Sequence, residues 1–242
     1  MAHDGQARPI LPPHPDGPIW GVVDPSVLGE CSAETHDAHV VAGGDGWRYR
    51  TWGPVRSTAC AVGEQIVFGS DDGYLYSVHR ETGQLNWRYN VGAPVMSSPV
   101  VVSGVIVVGA CDGSIRGFTE TDGKLIWSHQ TAKTVIATPA IVDQTVYVGS
   151  ADGSLYAVAL DTGGLNWKSP LCRQLTGSAS IDGASLYIGG VDGVMYCVNR
   201  DDGSVKWSAA LGGPIVARPL VTPDHIIVGS LDGAVYALHR TT

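Results

Sequence analysis

The sequence predicts an all-β protein built from four-stranded antiparallel units, and two observations support this prediction. Asp-Gly recurs five times at intervals of 40 residues, at 72–73, 112–113, 152–153, 192–193 and 232–233. Tryptophan recurs at the same interval, at Trp47, Trp87, Trp127, Trp167 and Trp207. A fixed period of about 40 residues that contains four short strands is typical of one blade of a β-propeller. We therefore expect a β-propeller.

Each unit contains the same four elements in the same order, as the unit that begins at residue 97 illustrates. Residues 97–103 and 105–110 are runs rich in β-branched residues, which are typical of buried strands. The Asp-Gly pair that follows favours a tight two-residue turn, with its carboxylate facing solvent and not forming a metal site. Residues 114–120 alternate as a half-exposed strand, and residues 124–130 end the unit after a second glycine turn.

The way in which the ring closes depends on the first part of the chain. The last unit contains only three strands before Thr242, so we expect an N-terminal strand to complete it. In one interpretation residues 43–50 supply this strand and the ring has five blades. In the other, a divergent blade spans about 17–51 and residues 6–11 close a sixth blade.

Two features favour six blades. Residues 19–29 have their apolar positions matched 40 residues later, in residues 59–69. Six units of 40 residues also account for nearly all of the 242 residues. We therefore expect a single propeller domain over 1–242, with the divergent blade and the closing strand in 1–51 and regular repeats in 52–242.

The repeat also resembles a known family. The run Ala157-x-x-x-x-Thr162-Gly163-x-x-x-Trp167 resembles the tryptophan-docking repeat of pyrroloquinoline-quinone dehydrogenases. It is equally similar to their non-catalytic relatives, such as the assembly lipoprotein of the bacterial outer-membrane β-barrel machinery. The resemblance covers residues 43–242 and implies that each tryptophan packs flat between neighbouring blades.

The resemblance does not extend to the quinone site. It implies that the dehydrogenases have eight blades, a vicinal cysteine pair, and Glu, Asn and Asp ligands for calcium. This sequence has no Cys-Cys pair and is too short for eight blades of this size. We expect no quinone, no other cofactor and no bound metal, and a protein closer to the non-catalytic relatives.

Composition limits the partners and the compartment. A net charge of −8 argues against a nucleic-acid-binding protein. No stretch approaches the roughly 20 apolar residues of a membrane span, so we expect no membrane insertion. The N-terminus lacks the pattern of a signal peptide, and the five cysteines show no C-x-x-C spacing. We expect free thiols and a cytoplasmic protein, although a secreted protein without its leader would have the same sequence features.

The positions at which the repeats differ indicate a binding site. At the start of each innermost strand the copies contain Arg56, Met96, Ile136, Thr176 and Val216. Two residues later they contain Thr58, Ser98, Thr138, Ser178 and Arg218. These side chains are expected to surround the mouth of the channel, and Lys133 and Arg173 lie in loops of the same face. We expect Arg56, Thr58, Ser98, Thr138, Ser178 and Arg218 to bind a small anionic ligand or a peptide or protein partner. The alternative is that these charges are solvated or paired with neighbouring carboxylates.

A second irregularity is the segment GECSAETHDAHVV, residues 29–41, which stands where other units have their Asp-Gly turn. Cys31, His36, Asp37 and His39 are residue types that ligate zinc, but their spacing fits no zinc motif. His36, Asp37, His39 and Glu30 are the candidate catalytic residues if the protein is an enzyme. A solvated variable loop is the simpler interpretation.

Two functions follow from these observations. The first is a non-catalytic binding or scaffold propeller that presents its mouth to a peptide, protein or small anionic ligand. The second is a small propeller enzyme of the lyase, cyclase or isomerase type that acts on an organic substrate without a quinone. A propeller fold supports both kinds of function. The sequence contains no complete catalytic motif, which favours binding, and whether the protein is an enzyme stays open at this point.

Overall fold

The computed structural model describes residues 39–40 and 46–240. These residues form one short strand pair and five antiparallel sheets of three or four strands each. Among them, no helix is long and apolar enough to cross a lipid bilayer.

The strands follow the 40-residue period. The short pair contains β1 (His39–Val40) and β2 (Trp47–Arg48). The first sheet contains β3 (Cys60–Val62), β4 (Gln65–Gly69), β5 (Tyr74–His79) and β6 (Leu85–Asn90). The second sheet contains β7 (Val100–Val102), β8 (Val105–Gly109), β9 (Ser114–Thr119) and β10 (Leu125–Gln130). The third sheet contains β11 (Ala140–Val142), β12 (Thr145–Gly149), β13 (Ser154–Ala159) and β14 (Leu165–Pro170). The fourth sheet contains β15 (Ser180–Asp182), β16 (Ser185–Gly189), β17 (Val194–Asn199) and β18 (Val205–Ala210). The fifth sheet contains β19 (Leu220–Val221), β20 (His225–Gly229) and β21 (Val235–His239).

Consecutive strands pair within every sheet, so the predicted four-stranded unit is confirmed in sheets one to four. The first strand of each unit is shorter than predicted, because β7 begins at Val100 and not at residue 97. Two features explain this difference. Pro99 has no backbone N–H to donate to a ladder. The Ser97 hydroxyl donates instead to the carbonyl of Ala137, 2.9 Å away in the approach to the third sheet.

The tryptophans join neighbouring sheets, as Trp127 shows most clearly. Its side chain is 6% exposed, and its Nε1 donates to the carbonyl of Leu160, 2.7 Å away in the next sheet. The indole lies against Gly163, whose φ of 68° favours glycine and where a Cβ would lie 2.5 Å from Trp127 Cε3. Trp167 and Trp207 make the same N–H bond but are only partly buried.

The apolar core lies between adjacent sheets. Leu75, Ile115, Leu155 and Met195 occupy equivalent positions in the third strands of the first four sheets, and each is 0% exposed. The equivalent Val235 in the fifth sheet is 75% exposed. Among the described residues, β21 pairs with β20 alone, and β2 pairs with β1. The predicted closing strand at residues 6–11 and most of the predicted blade over 17–51 lie outside the described residues.

Candidate functional site

Two sets of loops form one face of the protein, which we call the mouth face. One set, residues 51–58 and the segments 40, 80, 120 and 160 residues later, precedes each innermost strand. The other set consists of the Asp-Gly turns. The two sets are joined by backbone hydrogen bonds, such as Asp71 N–H to Pro54 O and Cys111 N–H to Pro94 O, both 2.9 Å. The backbone of this face is therefore fixed in every sheet.

The Asp-Gly carboxylates do not face solvent, and that part of the sequence prediction was wrong. Asp152 accepts a hydrogen bond of 2.5 Å from the Tyr156 hydroxyl and one of 2.9 Å from the Ser154 amide. Aspartate is preferred here because it fixes the turn and the following strand with one side chain. Burial alone would raise the pKa of Asp152, but these hydrogen bonds outweigh it and hold the pKa below its usual value. These carboxylates serve the turn and do not form a metal-binding ring.

One sheet replaces the tyrosine of this pair with arginine. Arg116 stands where the other sheets have tyrosine, and its Nη2 lies 2.7 Å from Asp112 Oδ2. Nη1 of Arg116 donates to the carbonyl of Val91, 3.1 Å away. The turn carboxylate thus keeps a donor in the second sheet, although the chemistry of that donor changes.

The predicted ring of hydroxyl groups joins neighbouring sheets. The Ser98 hydroxyl accepts the backbone N–H of Thr58 at 2.9 Å, and the Ser178 hydroxyl accepts that of Thr138 at the same distance. Each bond crosses from one repeat to the next. At Ser98 and Ser178 the hydroxyl therefore holds adjacent sheets together, which leaves less of it available for a ligand.

The two arginines predicted for the site both have partners within the chain. Arg56 Nε lies 2.7 Å from Asp71 Oδ2, and the Arg56 side chain is 51% exposed. Arg218 Nε donates to the Ser180 hydroxyl at 3.2 Å and remains exposed. The alternative of carboxylate pairing therefore applies to Arg56 and not to Arg218. Asp71 Oδ1 is buried and has no hydrogen-bond partner among the described residues.

The other predicted site residues divide between the described and undescribed parts of the chain. Lys133 and Arg173 are exposed in mouth-face loops, as expected. Glu30, His36 and Asp37 lie outside the described residues. His39 belongs to β1, and its side chain also lies outside what is described. The candidate acid–base loop therefore stays a prediction.

Sequence reasoning missed an aromatic–cationic cluster on the first sheet. The Arg88 guanidinium carbon lies 5.0 Å from the Trp52 ring centroid and 5.2 Å from that of Tyr74. The two rings are 6.1 Å apart and tilted by 45°. A signal was present in the sequence, because the positions equivalent to Trp52 are Gly92, Ala132, Cys172 and Gly212.

The opposite face contains a polar cleft of about 410 Å³ between the first and second sheets. His79 lines it, and its Nδ1 accepts the backbone N–H groups of Glu81 and Thr82 at 3.2 and 3.3 Å. This bonding supports the structural role that the sequence suggested for His79. Nearby, the Gln65 side chain donates to the carbonyl of Glu120, 3.3 Å away.

Comparison with known proteins identifies the family. Residues 35–182 and 152–242 match the model of the family described as outer membrane protein assembly factor BamB. The chain belongs to this family. Among curated proteins, none matches the sequence.

Solved structures show that the BamB fold extends over most of the described chain. BamB from Moraxella catarrhalis has a TM-score of 0.67 at 18% identity, covering 76% of this chain and 58% of that chain. The computationally designed Ika8 protein has a TM-score of 0.67 at 18% identity, covering 75% of this chain and 57% of that chain. A quinohemoprotein alcohol dehydrogenase from Pseudomonas putida HK5 has a TM-score of 0.65 at 17% identity, covering 78% and 41%. At these identities the likeness shows the β-propeller fold alone, and the matched region spans less than two thirds of each relative.

This member of the BamB family does not fit a quinone with its calcium ion. The sequence has no adjacent cysteines, and the four described cysteines are free thiols. Burial raises the pKa of the Cys172 and Cys197 thiols, which makes them weaker nucleophiles and metal ligands. Within the described part of the chain, no three His, Cys, Asp or Glu side chains are grouped to hold a metal ion.

Proposed function

We propose that the protein is a non-catalytic scaffold whose mouth face binds a peptide or protein partner, or a small anionic ligand. The observation that carries the proposal is the use of polar groups on that face. Asp152 is occupied by Tyr156 and a backbone amide, and the Ser98 and Ser178 hydroxyls accept amides of neighbouring repeats. Groups committed in this way make a rigid surface, but they are poorly placed to exchange protons with a substrate.

The arginines supply the asymmetry that a specific partner requires. A regular propeller presents the same small side chains from every blade, so recognition must depend on the repeats that differ. Arg56 and Arg218 replace neutral residues of other repeats, and both are exposed. A guanidinium on a protein face recognises carboxylate or phosphate groups through paired N–H donors. Membership of a family described by outer-membrane protein assembly supports testing a protein partner first.

Site-specific photo-crosslinking in cells that produce the protein tests the proposal. A photoreactive residue at Val216, 43% exposed on the mouth face, is expected to give a discrete protein adduct. The same residue at Lys124, in the turn of the opposite face, is the matched control and is expected to give none. Adducts from Lys124 alone would place the interaction on the other face and contradict the proposal.

The double variant Arg56→Ala, Arg218→Ala tests the residues themselves. We expect the Val216 adduct to be lost while the melting temperature stays within about 2 °C, because exposed ion pairs contribute little stability. An adduct of unchanged yield in the double variant would show that these arginines do not recognise the partner.

We further propose that the ring has six blades and is closed by residues 6–11. Support comes from the fifth sheet, where Leu220, Leu231 and Val235 are 60–75% exposed although equivalent positions in other repeats are covered. Deletion of residues 1–12 should lower the melting temperature by more than about 5 °C, and deletion of 1–5 should not. Equal melting of both truncated proteins and the full chain would exclude this closure.

A further inference from the structure

The Arg88 cluster on the first sheet differs from every equivalent position in the described repeats. The positions 40, 80 and 120 residues after Arg88 are Ser128, Lys168 and Ser208. Lys168 also lies over an aromatic ring, 5.0 Å from the Tyr156 centroid, but it forms an ion pair of 3.5 Å with the turn carboxylate Asp152. Arg88 forms no such pair.

The reason is that the turn carboxylate of the first sheet is already occupied. Asp72 accepts the Trp52 amide and the Tyr74 amide at 3.0 Å each and the Tyr76 hydroxyl at 2.8 Å. Among the described residues, Arg88 makes neither an ion pair nor a side-chain hydrogen bond. Its guanidinium is instead positioned by the faces of Trp52 and Tyr74, and its N–H donors remain available.

We propose that Trp52, Tyr74 and Arg88 bind an acidic side chain of an extended peptide segment in which an apolar residue adjoins the acidic one. The guanidinium supplies a planar donor pair whose orientation the two rings fix, so little side-chain freedom is lost on binding a carboxylate. Apolar surface lies in the same loop, since Trp52 is 41% and Val55 49% exposed. Such a surface favours a peptide with an apolar neighbour over a bare anion.

This inference rests on the proposed scaffold function and specifies the chemistry of its partner. The protein as a whole carries a net charge of −8, so a basic, aromatic spot is locally complementary to an acidic segment although the overall charge opposes it. The contact is therefore expected to strengthen as salt screens the long-range repulsion, up to the ionic strength at which it screens the contact itself.

The test uses the full chain and a defined probe, the acetylated and amidated hexapeptide Gly-Glu-Leu-Glu-Leu-Gly. Binding is measured by calorimetry and by the indole N–H resonances of ¹⁵N-labelled tryptophan, with the Trp52 resonance assigned through Trp52→Phe. We expect saturable binding that shifts the Trp52 resonance, and no binding of the Gln analogue of the peptide.

Three variants give the probe its controls. Arg88→Gln and Trp52→Ala should each weaken binding about tenfold or more, since one charged contact of about 1.5–3 kcal/mol corresponds to that factor. Arg88→Lys should weaken it as well, because lysine lacks the planar donor pair. Lys168→Gln, the equivalent cation two repeats later, should bind like the wild type. All four proteins are checked for wild-type melting temperatures.

Defined outcomes overturn the inference. Equal affinity of wild type and Arg88→Gln would exclude the guanidinium. If inorganic phosphate produced the same shifts and displaced the peptide completely, the cluster would be a small-anion site and not a peptide site. If the peptide failed to bind while the Val216 crosslink persisted, the inference would fail and the scaffold proposal would stand. Loss of both would refute both.

Discussion

The pairing of each docking tryptophan with a carbonyl of the next sheet allows a quantitative prediction. Trp127 Nε1 donates to the carbonyl of Leu160, a residue that is 1% exposed. Trp87 is the exception among the repeats, because its Nε1 is buried without a hydrogen-bond partner. The carbonyl of Glu120, which the repeat would assign to Trp87, accepts the Gln65 side chain instead.

Replacement of each tryptophan by phenylalanine should therefore have unequal effects. Trp127→Phe leaves a buried carbonyl unpaired, which costs about 1–3 kcal/mol beyond the loss of packing. Trp87→Phe removes an unpaired N–H, and its packing loss is partly offset. Trp167→Phe should lie between them, since Trp167 is partly buried like Trp87 but keeps a bond of 3.0 Å to Arg200.

Urea and thermal unfolding, followed by circular dichroism, measure these differences. For a chain of this length, 1 kcal/mol corresponds to about 2–4 °C in melting temperature, so Trp127→Phe should melt about 2–12 °C below Trp87→Phe. Trp127→Ala should cost about 3–5 kcal/mol and marks the full packing contribution. If Trp87→Phe cost as much stability as Trp127→Phe, the hydrogen-bond reasoning would be refuted.

Two further predictions concern the repeat itself. Gly163→Ala should destabilise strongly, because its Cβ would lie 2.5 Å from the Trp127 ring at a positive φ, whereas Gly164→Ala, with only the Thr162 hydroxyl at 3.3 Å, should be tolerated in the same melting assay. The lowered pKa of Asp152 contributes stability that is present above the carboxyl pKa of the unfolded chain, about 3.9, and is lost as the pH falls below it. Melting temperatures from pH 7 to pH 2 should therefore fall less steeply for Asp152→Asn than for wild type, and parallel curves would contradict this assignment.

The fold could be predicted from the sequence because the repeat encodes it several times over. Each copy specifies a β-branched strand pair, a glycine turn and a tryptophan that meets the glycine of the next copy, as Trp127 meets Gly163. Errors in one copy are corrected by the others. The solvent-facing interpretation of Asp152 failed because its partner Tyr156 was read only as part of a strand, although the spacing of four residues recurs in four of the five units.

The site was less predictable because it depends on which side chains face one another, and the repeat does not report this. Arg56 and Arg218 look alike as deviations in sequence, yet one meets Asp71 and the other meets the Ser180 hydroxyl. Arg88 was not singled out at all. Its rings belong to different elements, and only a comparison of the residues equivalent to Trp52 across all repeats would have revealed the cluster.

The departures from the repeat are concentrated around the first sheet, and they carry a cost in stability. Within the described chain, the buried side-chain polar atoms without a hydrogen-bond partner are Tyr49 Oη, Asp71 Oδ1 and Trp87 Nε1. All three lie in that sheet or directly before it, next to the Arg88 cluster and the Arg56–Asp71 pair. Buried unpaired groups are rare in folded proteins because each loses its bonds to water without replacement. Their accumulation in one repeat out of five, while the others satisfy the same positions, is expected where recognition and not stability determines the residues.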